Sequence, residues 1–206
     1  MKKIVFIGAG GHSKSVADAL APGYELIGYV DEFKEGSFCS RPIFGHRIED
    51  VPDFRSCAYF VTIGDNGFRR MWFERVKALG LETINIIDPT ACISKDVRMG
   101  TGNFVGKYAI INADAVLGDD NIINTRALVE HECHVGDHIH LSTGAMINGD
   151  VTVGDGAFLG TSSTCIGQLK IGENTVVGAG GVVIGDLPAN VTAVGVPVKI
   201  IKRRSE

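Results

Sequence analysis

Every sixth residue from Ile93 to Val183 is apolar, and few folds accept such a clock. Ile93, Met99, Val105, Ile111, Leu117 and Ile123 open the run, which continues through Val129, Val135, Leu141, Ile147, Val153, Leu159, Cys165, Ile171 and Val177. In a chain that is 45% hydrophobic, such a run arises by chance on the order of a few times in a million. A period of six matches neither the 3.6 of a helix nor an alternating strand broken by hairpins. It fits a solenoid whose short flat sides are separated by tight corners, three sides to a triangular coil. Residues 18 apart then stack, as in the column Ile93, Ile111, Val129, Ile147, Cys165 and Val183.

The rest of the hexad supports this. The chain holds 27 glycines, about 13% against a usual 7% or so. Glycine follows the aliphatic at 100, 106, 118, 136, 154, 160, 172 and 178. These glycines read as corner residues chosen for positive φ. The position two before the aliphatic is small at Ala91, Ala109, Ala115, Ala127, Ala145 and Ala157, where the coil bends inward.

Ahead of the clock the pattern changes. Lys2 to Ile7 reads as a strand, Gly8-Ala9-Gly10-Gly11-His12-Ser13 as a glycine-rich turn, and Ser13 to Leu20 as a helix. Further strands are expected at Tyr24 to Val30, Tyr59 to Ile63 and Thr83 to Ile87, with a helix over Phe68 to Leu79. This predicts a small α/β unit over residues 1–88, a Rossmann-like half domain, joined with almost no linker to an all-β coil over 89–206. The turn can cradle phosphate at a helix N-terminus, and Asp31 stands where a ribose-binding carboxylate belongs. Ser13 in place of the third fingerprint glycine, and a half-sized unit, argue against a dinucleotide.

Some functions are disfavoured by charge and composition. With 20 basic and 24 acidic residues, net −4, no global field attracts nucleic acid. No apolar run approaches the roughly 20 residues of a membrane span. Five cysteines without a CxxC predict reduced thiols and a cytoplasmic protein.

Four of the six histidines, His131, His134, His138 and His140, fall within one decade. A metal reading lacks a third histidine on a neighbouring coil. His134 and His138 read as solvated corner residues. His131 lies beside Glu132, with Ala113 and Gly149 expected one coil below and above, so it should be accessible. An imidazole with an ordinary pKa near 6.5 can take a proton from an attacking amine or hydroxyl, and a carboxylate on its other nitrogen fixes the tautomer. Cys133 is expected as a buried structural thiol.

Gly8-Ala9-Gly10-Gly11-His12, Tyr29-Val30-Asp31, Ile63-Gly64-Asp65-Asn66, Val129-Glu130-His131-Glu132-Cys133 and Val194-Gly195-Val196-Pro197, with the hexads, resemble one family. It is that of the bacterial hexapeptide-repeat sugar acyltransferases: sialic acid O-acetyltransferases and bacillosamine-type nucleotide-sugar N-acetyltransferases. The resemblance implies a left-handed parallel β-helix, acetyl-CoA as co-substrate, and a homotrimer with its active site between subunits. It implies His131 as general base and Glu132 as its partner, with His140 near the thioester and Asn124 as a further active-site candidate. It sets the CoA chain along Thr161 and Ala179, and the nucleotide-sugar against Gly11, His12, Asp31, Glu32 and Gly64. The implied acceptor is a UDP-linked 4-amino-4,6-dideoxy sugar. Rival readings are sugar O-acetylation, a noncatalytic trimeric scaffold and a metal-dependent hydratase. Lys199, Lys202, Arg203 and Arg204 form a basic end that reads either as a solvated tail or as a partner for CoA phosphates.

Overall fold

The computed structural model describes residues 1–203. An α/β unit opens the chain. Strands β1 (Lys2–Ile7), β2 (Tyr24–Val30), β3 (Ser37–Phe38), β4 (Arg41–Gly45), β5 (Ala58–Val61) and β6 (Glu82–Thr83) form one sheet in the order β3-β4-β2-β1-β5-β6. Only the β3–β4 hairpin is antiparallel. Its turn places Cys39 and Ser40 at φ of 47° and 61°. No Asn-Gly signal marks these residues, which is why the hairpin escapes a sequence reading.

Helix α1 (Gly11–Asp18) starts two residues earlier than expected, inside the glycine turn. Helix α2 (Asn66–Ala78) likewise starts early, because the Asp65 side chain accepts from Phe68 N at 2.8 Å and caps it. The strand expected over Thr83 to Ile87 divides in two. Glu82–Thr83 pairs with β5, whereas Ile86–Ile87 pairs with Phe104–Val105 and is the first strand of the coil.

The rest is a left-handed parallel β-helix with three faces. The first face runs upward from Ile86–Ile87 through Phe104–Val105, Ile122–Ile123, His140–Leu141, Phe158–Leu159 and Val176–Val177. The second begins at Cys92–Ile93 and the third at Arg98–Met99. Between Ile86 and Val183 each strand pairs with its neighbour 18 residues away, as Ile111 with Val129 and Val129 with Ile147. The six-residue clock therefore points into the axis, where Val105, Ile111, Ile123, Val129, Leu141 and Leu159 have no exposure.

The corners correct one expectation. The glycines after the aliphatics do not have positive φ; the left-handed positions lie two residues later, at Gly102, Tyr108, Asp114, Asp120, Arg126, Glu132, His138 and onward. Most are not glycine. Left-handed backbone costs such residues about 1 kcal/mol or more, and a hydrogen bond to the coil below offsets it. Asp120 N donates to Thr101 O at 2.9 Å, Arg126 N to Lys107 O at 2.8 Å and Glu132 N to Ala113 O at 2.9 Å. The glycines after the aliphatics are needed for a different reason. A Cβ on Gly154 or Gly160 would lie 2.6 Å from the backbone nitrogen of Glu173 or Ala179 in the next coil. On Gly100, Gly118 and Gly136 it would run into the carboxylates of Asp119, Asp137 and Asp155.

Those carboxylates form a ladder: Asp119 accepts from Thr101 N at 2.7 Å, and Asp137 from Asp119 N at 2.7 Å. Beside it, Asn85, Asn103 and Asn121 each accept from the backbone nitrogen 18 residues on, at 2.9, 2.9 and 2.7 Å.

The α/β unit packs on the first face. Phe104 and Ile122 share a buried cluster with Ile4, Phe6 and Val16. At the end, Lys199–Arg203 is a strand antiparallel to Val191–Val194, so Lys199 and Lys202 sit on an ordered ribbon rather than a loose tail. Arg204 lies outside the described residues. No helix of the described residues is long and apolar enough to cross a membrane.

Candidate functional site

Between the carboxyl ends of β1, β2 and β5 and the start of α1 lies an open cleft of about 320 Å³. Gly11, His12, Asp31, Glu32 and Gly64 all line it. Gly8 is a conformational requirement, with φ of 104° and Ile63 2.8 Å from where a Cβ would stand. Gly10, Gly11 and Gly64 are different: their φ is ordinary and a Cβ would meet nothing within 4 Å. Neither strain nor packing asks for glycine there, and the space it leaves opens onto the N-terminus of α1, whose free N–H groups favour an anion.

Asp31 is buried and already engaged. Its Oδ2 accepts from Ala9 N at 2.7 Å and its Oδ1 from Phe33 N and Lys34 N at 3.0 Å. The carboxylate shapes the cleft and keeps little free capacity for a ligand. Glu32 is exposed at its side. The sequence reading missed Phe33 and Phe68, whose rings stack at 6.1 Å at the cleft. Phe33 is 78% exposed, an unusual position for so large an apolar group.

His12 stands edge-on to Phe104, and its Nε2 is buried without a partner. Burial, then the charge of Arg69, lowers its pKa to about 4. His140, on the first face, borders the same loop. Its Nδ1 lies 3.2 Å from the Gly64 carbonyl and its Nε2 3.3 Å from Asn124 Nδ2. A carbonyl only accepts, so Nδ1 carries the hydrogen and Nε2 receives the Asn124 amide. Burial and Arg69 push His140 down to about 4 as well.

A prediction follows from the sign of that shift. An unfolded chain protonates His140 near pH 6.5 and the folded one only near 4, so this group's contribution is present above pH 6.5 and lost as pH falls towards 4. The loss is on the order of 3 kcal/mol. Urea midpoints at pH 7 and 4.5 should therefore fall more for the native chain than for His140→Gln. Equal falls would remove the effect.

The other predicted residues lie elsewhere on the prism. His131 and Glu132 occupy the vertex between the second and third faces, opposite the first face and its cleft. His131 Nδ1 lies 3.1 Å from Glu132 Oε2 and its side chain is 58% exposed. The ring lies over Gly149, where a Cβ would come 2.6 Å from Nε2. Thr161 and Ala179 are exposed, 18 residues apart, on the corner that follows the first face, and Thr161 Oγ1 lies 3.2 Å from Ser142 Oγ. Within one chain the structure joins His140, Asn124 and Gly64, but leaves His131 apart from them.

His134 is exposed as expected, but His138 is not solvated: it is 3% exposed. Its Nδ1 lies 2.8 Å from Asp120 Oδ2, and its ring meets Phe73 edge-on at 5.7 Å. A corner position is exposed only where nothing docks, and α2 docks here. Cys133 is buried and burial raises its pKa, as suits an inert thiol. Among the described residues no group of three or more His, Cys, Asp or Glu could hold a metal.

Residues 3–76 match the PglD N-terminal domain family. PerB from Caulobacter crescentus, solved with CoA and GDP-perosamine, is 38% identical over 98% of both chains, with a TM-score of 0.91. The acetyltransferase domain of PglB from Neisseria gonorrhoeae FA1090 is 33% identical over 98% of this chain and 100% of that one, with a TM-score of 0.92. That domain has also been solved with acetyl coenzyme A. A stretch of 101 residues is 37% identical to Uncharacterized protein L142 of Acanthamoeba polyphaga mimivirus, and spans only 20% of that protein's length. Matched along nearly its whole length, with hexad coil and glycine-turn unit in the same order, the chain belongs to the family of PglD-type sugar N-acetyltransferases.

Proposed function

We propose that the protein transfers the acetyl group of acetyl-CoA to the amino group of a nucleotide-linked amino sugar, of the UDP-4-amino-4,6-dideoxy type that the sequence motifs favour. The observation that carries the reading is the cleft, in which Gly10, Gly11 and Gly64 leave room at a helix N-terminus beside His140. A pyrophosphate suits the N–H groups of α1, and the exposed face of Phe33 suits a planar base. The relatives solved with CoA, acetyl coenzyme A and GDP-perosamine support both substrates.

His131 is the proposed general base. Its Nδ1–H donates to Glu132, which leaves the Nε2 lone pair free to take a proton from the acceptor amine. As that proton leaves, the nitrogen bonds to the thioester carbonyl carbon, the C–S bond breaks, and the imidazolium returns its proton to the CoA sulfur. Two solved structures of the Caulobacter crescentus perosamine N-acetyltransferase are of variants with one histidine replaced by asparagine or alanine, each in complex with CoA and GDP-perosamine.

His131 and the cleft lie on opposite sides of one prism, so a complete site takes the base from one copy and the cleft from another. The second face is suited to the contact: outward Ile110 and Met146 are 40% and 38% exposed, whereas the third face presents Arg98, His134 and Lys170. A homotrimer in the cytoplasm is the assembly this reading expects. Thr161 and Ala179 offer a small-residue corner for the CoA chain.

The test is release of free CoA thiol from acetyl-CoA against a panel of UDP- and GDP-linked amino sugars, their hydroxyl analogues and free sialic acid. Turnover confined to the nucleotide-linked amines is the expected result. Turnover with free sialic acid or the hydroxyl analogues would favour O-acetylation instead.

A further inference from the structure

Arg69 is a charged residue the proposed chemistry leaves unused, yet it is 1% exposed. It lies on α2 of the α/β unit and spends its guanidinium on the coil. Nε donates to Asp120 O at 3.0 Å and lies 3.2 Å from Asp120 Oδ2. One terminal nitrogen donates to His138 O at 2.7 Å and Ile139 O at 3.3 Å. The other donates to Asn66 Oδ1 at 2.9 Å and reaches the carbonyls of Ile63 and Gly64 at 3.5 Å. Asn66 in turn donates to the carbonyls of Gly156 and Ala157 at 2.9 and 3.0 Å.

One side chain thus ties the Gly64–Asn66 turn to the coil. Gly64 faces two ways: its Cα borders the cleft, and its carbonyl receives Nδ1–H of His140. The orientation of that carbonyl decides which nitrogen of His140 holds the hydrogen. A carbonyl displaced by about an ångström would free the ring to rotate or change tautomer, and misplacements of that size cost reactions up to about a hundredfold.

We propose that Arg69 is the positioning residue of this site, holding the Gly64 carbonyl against His140 so that the imidazole keeps its hydrogen on Nδ1 and presents Nε2 towards Asn124. The planar fork is essential to this role, because five N–H donors in fixed directions are shared between two parts of the molecule. Asp120 supplies the countercharge, and His138 Nδ1 shares the same carboxylate oxygen, Oδ2, with Arg69. The inference rests on the reading of His140 as a residue of the acyl-donor side.

The test pairs a spectroscopic readout with kinetics. Long-range ¹H–¹⁵N spectra of ¹⁵N-histidine-labelled protein, with His140→Gln used to assign the signals, should show His140 as the Nδ1–H form in the native chain. In Arg69→Lys, which keeps the buried charge and loses the fork, the Nε2–H form should become populated. There kcat should drop by about tenfold or more with KM for the sugar nucleotide little changed. Asn66→Ala, which leaves Arg69 intact, should move the same signal less far and provides a second route if Arg69→Lys folds poorly. An unchanged His140 tautomer in both variants would overturn the proposal. A shifted tautomer with unchanged kcat would uphold the positioning and count against the donor-side reading of His140.

Discussion

Alanine in place of His131 is expected to lower kcat by at least about a hundredfold while CoA still binds, since on the proposed mechanism the variant loses the proton acceptor and no part of the proposed CoA corner. The side chain is 58% exposed on a vertex, so its removal leaves no cavity and the fold should persist. Glu132→Gln should cost less, because it weakens the orientation of Nδ1–H and spares the base. Thiol release and CoA titration measure both quantities. Full activity in the alanine variant would remove His131 from the chemistry. The opposed placement of base and cleft adds a sharper version. Gly11→Val, whose Cβ would meet nothing within 4 Å and whose methyls would take up cleft space, should also be inactive. Oligomers co-assembled from the two inactive chains should recover activity under the proposed shared site, in which one copy lends His131 and another the intact cleft. Absence of recovery would mean that base and cleft act within one chain.

The second large effect falls on stability. Leu141 has no exposure and is stacked between Ile123 and Leu159 inside the coil. Leu141→Ala should lower the unfolding free energy by about 2 to 5 kcal/mol, as truncations in close-packed cores do. Lys170→Ala, on the outward side of the third face, should change it by less than about 0.5 kcal/mol. Urea unfolding at fixed protein concentration compares them. Equal effects would contradict the inward direction of the six-residue clock.

The coil was legible because one apolar residue in six is forced inward at every side, and no competing periodicity obscures it. The cleft was legible as a glycine turn followed by Asp31, although the engagement of that carboxylate by three backbone N–H groups depends on a fold of the Asp31–Lys34 segment that no local pattern announces. The left-handed corners were not legible. Arg126, Glu132 and Ser162 share no chemistry, and what they have in common is a carbonyl waiting one coil below. His138 and Arg69 were missed for a related reason. A histidine at a corner and an arginine on an amphipathic helix both read as surface groups until α2 and the coil are brought together. Phe33 gave no signal at all, since a single aromatic beside two acidic residues has no local pattern to mark it.

The asparagine and aspartate ladders limit how a chain of this kind can lengthen or shorten. Each rung is closed by a partner one full winding away, so losing six or twelve residues would leave amides and carboxylates facing mismatched neighbours, whereas excision of a complete winding lets the seam reclose. The corner that carries Thr161 and Ala179 can thus be made longer or shorter only in whole steps, and the spacing between its far end and the cleft takes discrete values rather than a continuous range.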